Sequence, residues 1–552
     1  MAIHKEEVMS PVSAVIFLVL LFLLVYPLWK LGLRDLFWDE GEYAAIITEM
    51  NSFPPDARVH GELISGYYPL YPILVKGLVM LGVNMEYALR LISVAAMGGL
   101  TVMVGIIGYR MAGVHAGAAA ASVMFTTLIA AEKAVEGYPN TLMVLLIFSG
   151  WLLWFYLGQF GGSWNLGWLA VGLFAGLSFY CGGWTALFYF LVPMMFLQRP
   201  FTPWRRLTGT GFPVGVLILL VFVLIWIIPR WTPGAAGIPL PEGGGFGHFV
   251  LHLFDMTGDI AFRLLPWTFF LYAPYCAALI AIDRNPLFSK YLRTLFTVSA
   301  FILILDPFSK ARDILYLVPP FALLTGLNYE IVVRRHGTTM CRVLRWSSAV
   351  LFLCGAAILL YELVPASLLK KIAPVMSSEL IAGRSVYSSL LEASGAVVTA
   401  VAAYWLTVRK RPVWLVTILL FAGAILCFYS LTTPRRAMQR SRSETGMAFR
   451  TALGGSWRPD LTVYKDSSIS GLYTECYYMG TKVKTVAFSA TDAIKDQTLF
   501  LLSPSSIQPP DSSRTWSRTM DIVYKKQNLY MWKGILNDRK EGSEHDIRNM
   551  RF

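Results

Sequence analysis

Long apolar runs separated by short polar stretches fill residues 1–431 of the chain. About twenty consecutive apolar residues is the length a helix needs to cross a bilayer. Runs approaching that length occupy 11–33, 86–109, 115–131, 138–157, 164–179, 184–197, 211–228, 265–282, 294–305, 314–332, 347–363, 391–408 and 413–431. The pattern predicts a mostly α, polytopic membrane protein of about thirteen transmembrane helices. Runs 164–179 and 184–197 are parted only by a Cys-Gly-Gly break. One kinked helix is the alternative there, but the combined length favours two.

The pattern changes after residue 431. In 432–552, apolar and polar residues alternate in LTVYKD, TKVKTVAF, QTLFLL and DIVYKK, each bounded by Gly, Pro, Asp or Ser. A period of two marks short strands. A small soluble α/β domain is therefore expected at 432–552, after a membrane domain at 1–431. The charged residues from about Asn537 onward are expected to fray. Residues 34–83 are too many for a simple connector. Tyr43, Ile46, Ile47 and Met50 recur at helical spacing, and LYPILVKGLVML follows Pro69. Both stretches predict helices lying at the membrane interface. The 229–263 loop is also long, and rich in Gly and Pro. No repeat of fixed period is evident.

Composition agrees with this class. The chain has 552 residues, 56% hydrophobic and only 15% charged, where a soluble protein carries about 25% charged. Much of the net charge of +13 falls in four short loops. These hold Arg199, Arg205 and Arg206; Arg284, Lys290 and Arg293; Arg334, Arg335, Arg342 and Arg345; and Arg409, Lys410 and Arg411. With thirteen spans and a cytoplasmic N-terminus, all four lie on the cytoplasmic side. The loops after 34, 131, 229 and 305, and the tail, then face outward. Loops this short form no nucleic-acid-reading module, so no nucleic-acid partner is expected. The first run is too long for a signal peptide and lacks a small-residue cleavage site, so it reads as a retained span. Six cysteines are scattered without a CxxC pair, and only Cys476 lies in the tail. That argues against a cysteine-based metal or redox role.

Several outward residues are candidates for chemistry. Asp39 and Glu40 open WDEGEYAAIITEM. Asp39 with Glu42 fits a capping box; the other reading is a general base or a metal ligand beside a lipid head group. Glu132 and Glu136 lie one turn apart beside Lys133. They read either as surface ion pairing or as a second carboxylate to flank one acceptor. Lys310 and Arg312 stand beside Asp306 and Asp313, either paired with them or holding a phosphate. His248, His252, Asp255 and Asp259 have spacings that share one helix face, and two His with a carboxylate can bind a divalent metal ion. That spacing lacks the internal Glu of a zinc hydrolase motif. Tyr67, Tyr68 and Tyr71 read as aromatic-belt residues or as groups that stack on a sugar. No Walker loop, GxSxG elbow or dinucleotide fingerprint occurs, so no nucleotide cofactor is expected. The energy for a reaction would come from an activated, membrane-borne substrate.

These stretches resemble a known family. WDEGEYAAIITEM resembles the Asp-Glu motif of the C-type polytopic glycosyltransferases that use polyprenyl-phosphate sugars. YYPLYP is similar to their PPLYYW, YALRLISVAAMGGL to an Arg-Leu span start, and LLPWT and SKARDILYLVPPFALL to their PWT and SK…YILP stretches. GLYTECYYMGTKVKTV resembles an FYxGRxV stretch. The likeness is greatest to the bacterial 4-amino-4-deoxy-L-arabinose lipid A transferases and the protein O-mannosyltransferases, and covers nearly the whole chain. It implies the GT-C fold and hexosyl or pentosyl transfer from a polyprenyl-phosphate-linked sugar donor to a lipid (lipid A-like) or protein acceptor. The setting implied is the periplasmic face of a bacterial inner membrane. By position, Asp39 is the motif Asp, Glu40 its neighbour, Glu136 the second acid, and Lys310 and Arg312 the donor-phosphate cations. An inverting displacement follows: a base activates the acceptor oxygen, a cation stabilises the leaving phosphate. The chain departs at Gly66-Tyr67, where the aminoarabinose enzymes have Glu-Lys, and at CysGlyGlyTrp, where they have a Lys. Two other classes compete: a transporter or flippase of a lipid-linked sugar, and a non-catalytic envelope assembly protein. A transporter would favour inverted repeats and midplane acids, neither of which the sequence displays.

Overall fold

The computed structural model describes residues 31, 35–37, 39–50, 58–63, 68–228, 246–283, 285–364, 386–409, 413–438, 441–469, 471–494, 496–524 and 527–537. Nearly all of the expected first span, and Tyr67, lie outside them. The chain divides into two compact units: Tyr68–Gln439 with Met1–Arg34, and Asp35–Tyr67 with Arg440–Phe552. Helix α1 (Glu40–Glu49) and the short hairpin of β1 (Arg58–Val59) and β2 (Glu62–Leu63) belong to the second unit.

The first unit is helical. It holds α2 (Leu70–Met80), α3 (Met85–Ala112), α4 (Val114–Thr126), α5 (Leu128–Ala134), α6 (Asn140–Gln159), α7 (Trp164–Met195) and α8 (Gly211–Ile227). After these come α9 (Phe246–Arg263), α10 (Pro286–Leu305), α11 (Val318–Leu363), α12 (Val386–Val408) and α13 (Val413–Met438). Among the described residues six helices are long and apolar enough to cross a membrane, and α4 with α5, bent by 62°, make a seventh. The chain is an integral membrane protein. On α8, Leu217, Leu220, Leu224 and Ile225 are exposed, an arrangement that is stable only against lipid.

Contacts show which way each helix runs. At one end, Ser93 Oγ donates to the Tyr138 carbonyl, Arg263 pairs with Glu132, and Ser309 meets His252. At the other, Lys290 Nζ donates to the Arg199 carbonyl, Arg206 stacks on Trp164, and Asn285 donates to the Met111 carbonyl. One end is therefore rich in acidic residues and the other basic. Residues 85–112, 140–159 and 318–332 run from the acidic end to the basic one; 114–134, 211–227 and 286–305 return. Segment 265–282 also crosses, though not as the α-helix its apolarity predicts. It is a 3-10 stretch, Trp267–Tyr275, followed by the short Ala277–Ile280. Its Trp267 Nε1 donates to Thr126 Oγ1, and its Pro274 carbonyl accepts from Arg293.

α7 is two limbs. Gly183 takes φ 64°, ψ −142°, a conformation open to glycine and costly for other residues. A Cβ on Gly150 would touch both Phe174 and Phe190. Those residues are sixteen apart and would stand about 24 Å apart along one straight helix. The chain therefore climbs α6 from Trp164, turns at Gly183, and descends to Met195. The two predicted runs are an antiparallel pair. α11 differs the other way. Runs 314–332 and 347–363 were expected as separate spans, yet Val318–Leu363 is one continuous helix of 46 residues. Its basic middle, with Arg334, Arg335 and Arg345 exposed, contains no proline and one glycine, so nothing local breaks it. Close packing elsewhere rests on small residues. A Cβ on Gly108 would lie 3.0 Å from Gly117 Cα, and one on Gly326 3.0 Å from Ala120 Cα.

In the second unit, α14 (Ser441–Leu453) and α15 (Tyr473–Met479) pack on a mixed sheet of β3 (Thr462–Asp466), β4 (Lys482–Val486), β5 (Thr498–Ser503), β6 (Arg514–Tyr524) and β7 (Gln527–Leu536). The strand order is β4-β3-β5-β7-β6. β3 pairs parallel with β4 and β5, and β7 pairs antiparallel with β5 and β6. Phe449, Leu453, Cys476 and Met479 close over Val463, Phe500, Leu502 and Met531. Leu499, Leu501, Trp516 and Trp532 fill the opposite face. Central β5 is buried on both faces, hence its unbroken apolar run. β6 lies at the edge and alternates. β7 and α15 are absent from the sequence-based expectation, because NLYMWKGIL and YTECYYM have no clean period.

Candidate functional site

In the second unit, Asp39 occupies the N-cap position of α1, yet its side chain makes no capping hydrogen bond. The capping box does not form. Glu40 instead turns back, and its Oε2 accepts from the Phe37 N–H at 3.0 Å. Glu40 is buried, while Asp39 is half-buried. Burial, and then the charge of Asp39, push the Glu42 carboxyl above its usual range. The motif thus places one carboxylate in a structural role and sets two others side by side at the helix start.

The motif is anchored to the sheet domain. Gly41 packs against Thr474: a Cβ would overlap Thr474 Oγ1 and come within 3.0 Å of its Cα. Leu36 N–H donates to the Tyr478 hydroxyl at 3.1 Å, and Ser443 N–H to Asp35 Oδ2 at 3.1 Å. Arg442 lies 5.5 Å over the Phe37 ring and donates to Thr474 Oγ1 at 3.3 Å. Behind it, Glu475 is buried, 3.9 Å from Arg442 Nε, and accepts 2.6 Å from the Tyr524 hydroxyl. Beyond α1, Glu49 Oε1 accepts from the His60 N–H, and the His60 carbonyl accepts from Thr485. Burial, and then Lys465, hold the His60 imidazole down at about 3, so it is neutral. Gly41, Thr474, Arg442 and Tyr478 were not foreseen. Only the small residue inside an acidic motif, D-E-G-E, hinted at a close approach.

In the first unit, Glu136 follows α5 and Arg312 lies in the 3-10 turn Ala311–Leu317. They line one small cleft with Lys133, Tyr138, Asn140 and Thr141. Lys133 Nζ reaches both Glu136 oxygens at 2.8 Å and Glu132 at 3.1 Å. Glu132 also accepts from Arg263 at 2.8 Å. The structure thus forms the Glu132–Lys133–Glu136 ion pairing and also sets Glu136 beside a cation. Arg312 stacks over the Tyr138 ring at 4.3 Å. Asn140 Nδ2 is buried there and has no hydrogen-bond partner among the described residues. An unmet buried donor costs on the order of 1–3 kcal/mol. The cleft, about 10 Å³ in volume, sets that donor beside Arg312 and the Lys133–Glu136 pair, groups that attract an anionic oxygen.

Lys310 is exposed. Its backbone N–H, not its ammonium, is what Asp313 Oδ2 accepts, at 2.9 Å. Beside it, Ser309 Oγ lies 3.3 Å from His252 Nε2. His252, Asp255 and Asp259 sit on α9 as their spacing predicts. However, Asp259 faces Arg263 at 3.8 Å, and no group of three metal-ligating side chains occurs among the described residues. The His248 side chain lies outside them. Tyr68 fits against the α7 turn: its ring fills the space beside Gly183 and sits 5.7 Å from Phe179 and from Trp226. The Trp184 N–H donates to its hydroxyl. Tyr71 is fully buried, and its hydroxyl donates to the Leu89 carbonyl at 2.7 Å, pinning α2 to α3. Its ring therefore packs helices and faces no open site.

No protein-family model and no curated protein matches the sequence. Solved structures do. The crystal structure of ArnT from Cupriavidus metallidurans in the apo state superposes with a TM-score of 0.68 at 15% identity, over 95% of this chain and 98% of that one. The structure of the same protein bound to undecaprenyl phosphate gives 0.66 at 14% identity, over the same shares. Over 95% of its length the chain shares the fold of ArnT.

Proposed function

We propose that this protein is an integral-membrane glycosyltransferase. It moves a sugar from a polyprenyl-phosphate donor to a lipid or protein acceptor. The observation that carries the reading is the likeness of nearly the whole chain to a structure that holds undecaprenyl phosphate. In this proposal Asp39 is the base that takes the acceptor's proton. The acceptor oxygen attacks the anomeric carbon, that carbon inverts, and the polyprenyl phosphate leaves. Arg312, with Lys310 nearby, stabilises the phosphate charge as it develops, and Asn140 donates to a phosphate or sugar oxygen. Glu136, neutralised by Lys133, orients that cation rather than competing for the proton. The active face is the periplasmic face of a bacterial inner membrane. The basic end, with Arg205, Arg206 and Lys290, then faces the cytoplasm, in keeping with the bias of Lys and Arg.

Mass spectrometry of envelope lipids and proteins, with and without the gene, tests the reading. A hexose- or pentose-sized shift on a lipid or a protein supports it and names the acceptor. No shift on either, with a lipid-linked sugar stranded on one leaflet, would make the protein a flippase. Arg312→Gln is expected to lower kcat by about 10²-fold, the typical cost of one charge-stabilising donor. The acceptor KM should change little, because the residue is assigned to the donor; a change confined to the acceptor KM would remove that role. A divalent ion held by His248 and His252 belongs to the same proposal. Transfer unchanged after exhaustive EDTA treatment would discard it.

A further inference from the structure

A second cavity, of about 270 Å³, opens in the first unit at its basic end, and its wall exposes no polar surface. Its origin is geometric. The ascending limb of α7 and helix α8 touch so closely at Gly172 and Gly215 that a Cβ on Gly172 would overlap the Gly215 carbonyl. The descending limb stands off from α8. Leu191 and Met194 face Phe212 and Leu219 across the gap, with Trp168 and Val171 as its floor. The outer surface of α8 is lipid-facing, so the gap opens toward acyl chains.

The 3-10 turn Pro203–Arg206 puts Pro203 and the exposed Trp204 on the cavity wall, and the exposed Arg205 follows them in the same turn. Arg206 is already engaged: its Nη2 donates to the Pro200 carbonyl at 2.8 Å, and it stacks 3.3 Å over Trp164. Lys290 lies at the same end, donating to the Arg199 carbonyl. Residues 196–210 contain no Asp or Glu. Arg205 has no ion pair or hydrogen bond of its side chain among the described residues. An apolar slot beside an exposed cation without an ion pair and an exposed tryptophan matches a lipid with an apolar tail and an anionic head.

We propose that this cavity holds one acyl chain of an anionic phospholipid whose phosphate rests on Arg205. The lipid wedges the two limbs of α7 against α8. It sits at the end opposite the Glu136 cleft, so it is not a donor or acceptor. A zwitterionic lipid fills the slot equally but gains less from Arg205.

Native mass spectrometry of the full chain, exchanged into phosphatidylglycerol or phosphatidylcholine, tests this. The wild type is expected to keep one phosphatidylglycerol at activation energies that strip phosphatidylcholine. Arg205→Gln should cut that retention about fivefold, the effect of one cation near a head group. Leu191→Trp, which fills the slot, should lose both lipids while melting normally in detergent. Equal retention of the two lipids by the wild type would overturn the proposal, as would undiminished retention in Arg205→Gln. Should Leu191→Trp fail to fold, Arg205→Gln decides alone. Displacement of the bound phosphatidylglycerol by polyprenyl phosphate would assign the slot to the prenyl chain and equally overturn it.

Discussion

Asp39→Asn is expected to lower sugar transfer by about 10³-fold, roughly 4 kcal/mol of transition-state stabilisation, while the protein still folds. The expectation of folding rests on the local geometry. Asp39 makes no capping bond, so exchanging its carboxylate for an amide removes no helix cap. Glu40, which bonds the Phe37 N–H, is left intact. The expected loss rests on chemistry, since an amide cannot take a proton from an acceptor hydroxyl. Removing the Asp39 charge also removes the second cause that raises the Glu42 carboxyl. Glu42 is then left as a weak substitute base, and residual activity should titrate with it. The measurement is single-turnover transfer from a polyprenyl-phosphate sugar in detergent, with the melting temperature as the folding control. Transfer at near wild-type rate would end the assignment of Asp39 as base.

Gly41→Ala is expected to weaken the second unit and, through it, the motif. Alanine in a helix is worth about 1 kcal/mol over glycine. Here the added Cβ overlaps Thr474 and reaches its backbone at 3.0 Å. Overpacking of that kind costs about 1–3 kcal/mol, and backbone contact puts this position at the high end. The net expectation is about 2 kcal/mol of destabilisation, with α1 displaced from α15. Proteolysis of the C-terminal tail should accelerate, and transfer should fall with Asp39 still present. Adding Thr474→Gly should restore part of both. Normal tail protection in Gly41→Ala would show that α1 does not rest on α15.

Much of the architecture was legible because the membrane imposes it. A helix in lipid satisfies its own backbone, so apolar length alone marks the crossings. Even the Cys-Gly-Gly break proved to be a reversal, since Gly183 adopts a conformation that only glycine takes readily. Strands β3, β4 and β5 were read because half-buried strands alternate or sit between polar turns. α11 and segment 265–282 were misread for opposite reasons. A polar middle does not end a helix when nothing in it breaks one, and apolarity alone does not make an α-helix of residues 267–275.

The candidate site was legible only as residue types. Asp39, Glu136 and Arg312 were singled out from spacing and motif, but of their partners only Lys133 was readable. The pairing of Glu136 with Lys133 is local in sequence and was readable. The stacking of Arg312 on Tyr138, and the unmet Asn140 donor, join residues far apart in the chain and leave no local period. Tyr71 shows the converse: its sequence suits a sugar platform, and its burial turns it into a helix pin.

By itself, then, the sequence determined a membrane-embedded helical chain with an acidic motif, basic loops and a C-terminal strand domain. These follow from local composition and period, which the bilayer converts directly into structure. Only the tertiary structure decided that the segment Asp35–Tyr67 folds with the C-terminal domain. It also decided that the Glu40 carboxylate accepts from the Phe37 N–H and that Asp39 forms no helix cap. Such outcomes turn on side-chain contacts across more than four hundred residues, as between Leu36 and Tyr478. Steric fit at Gly41 selects them, and no periodicity encodes it.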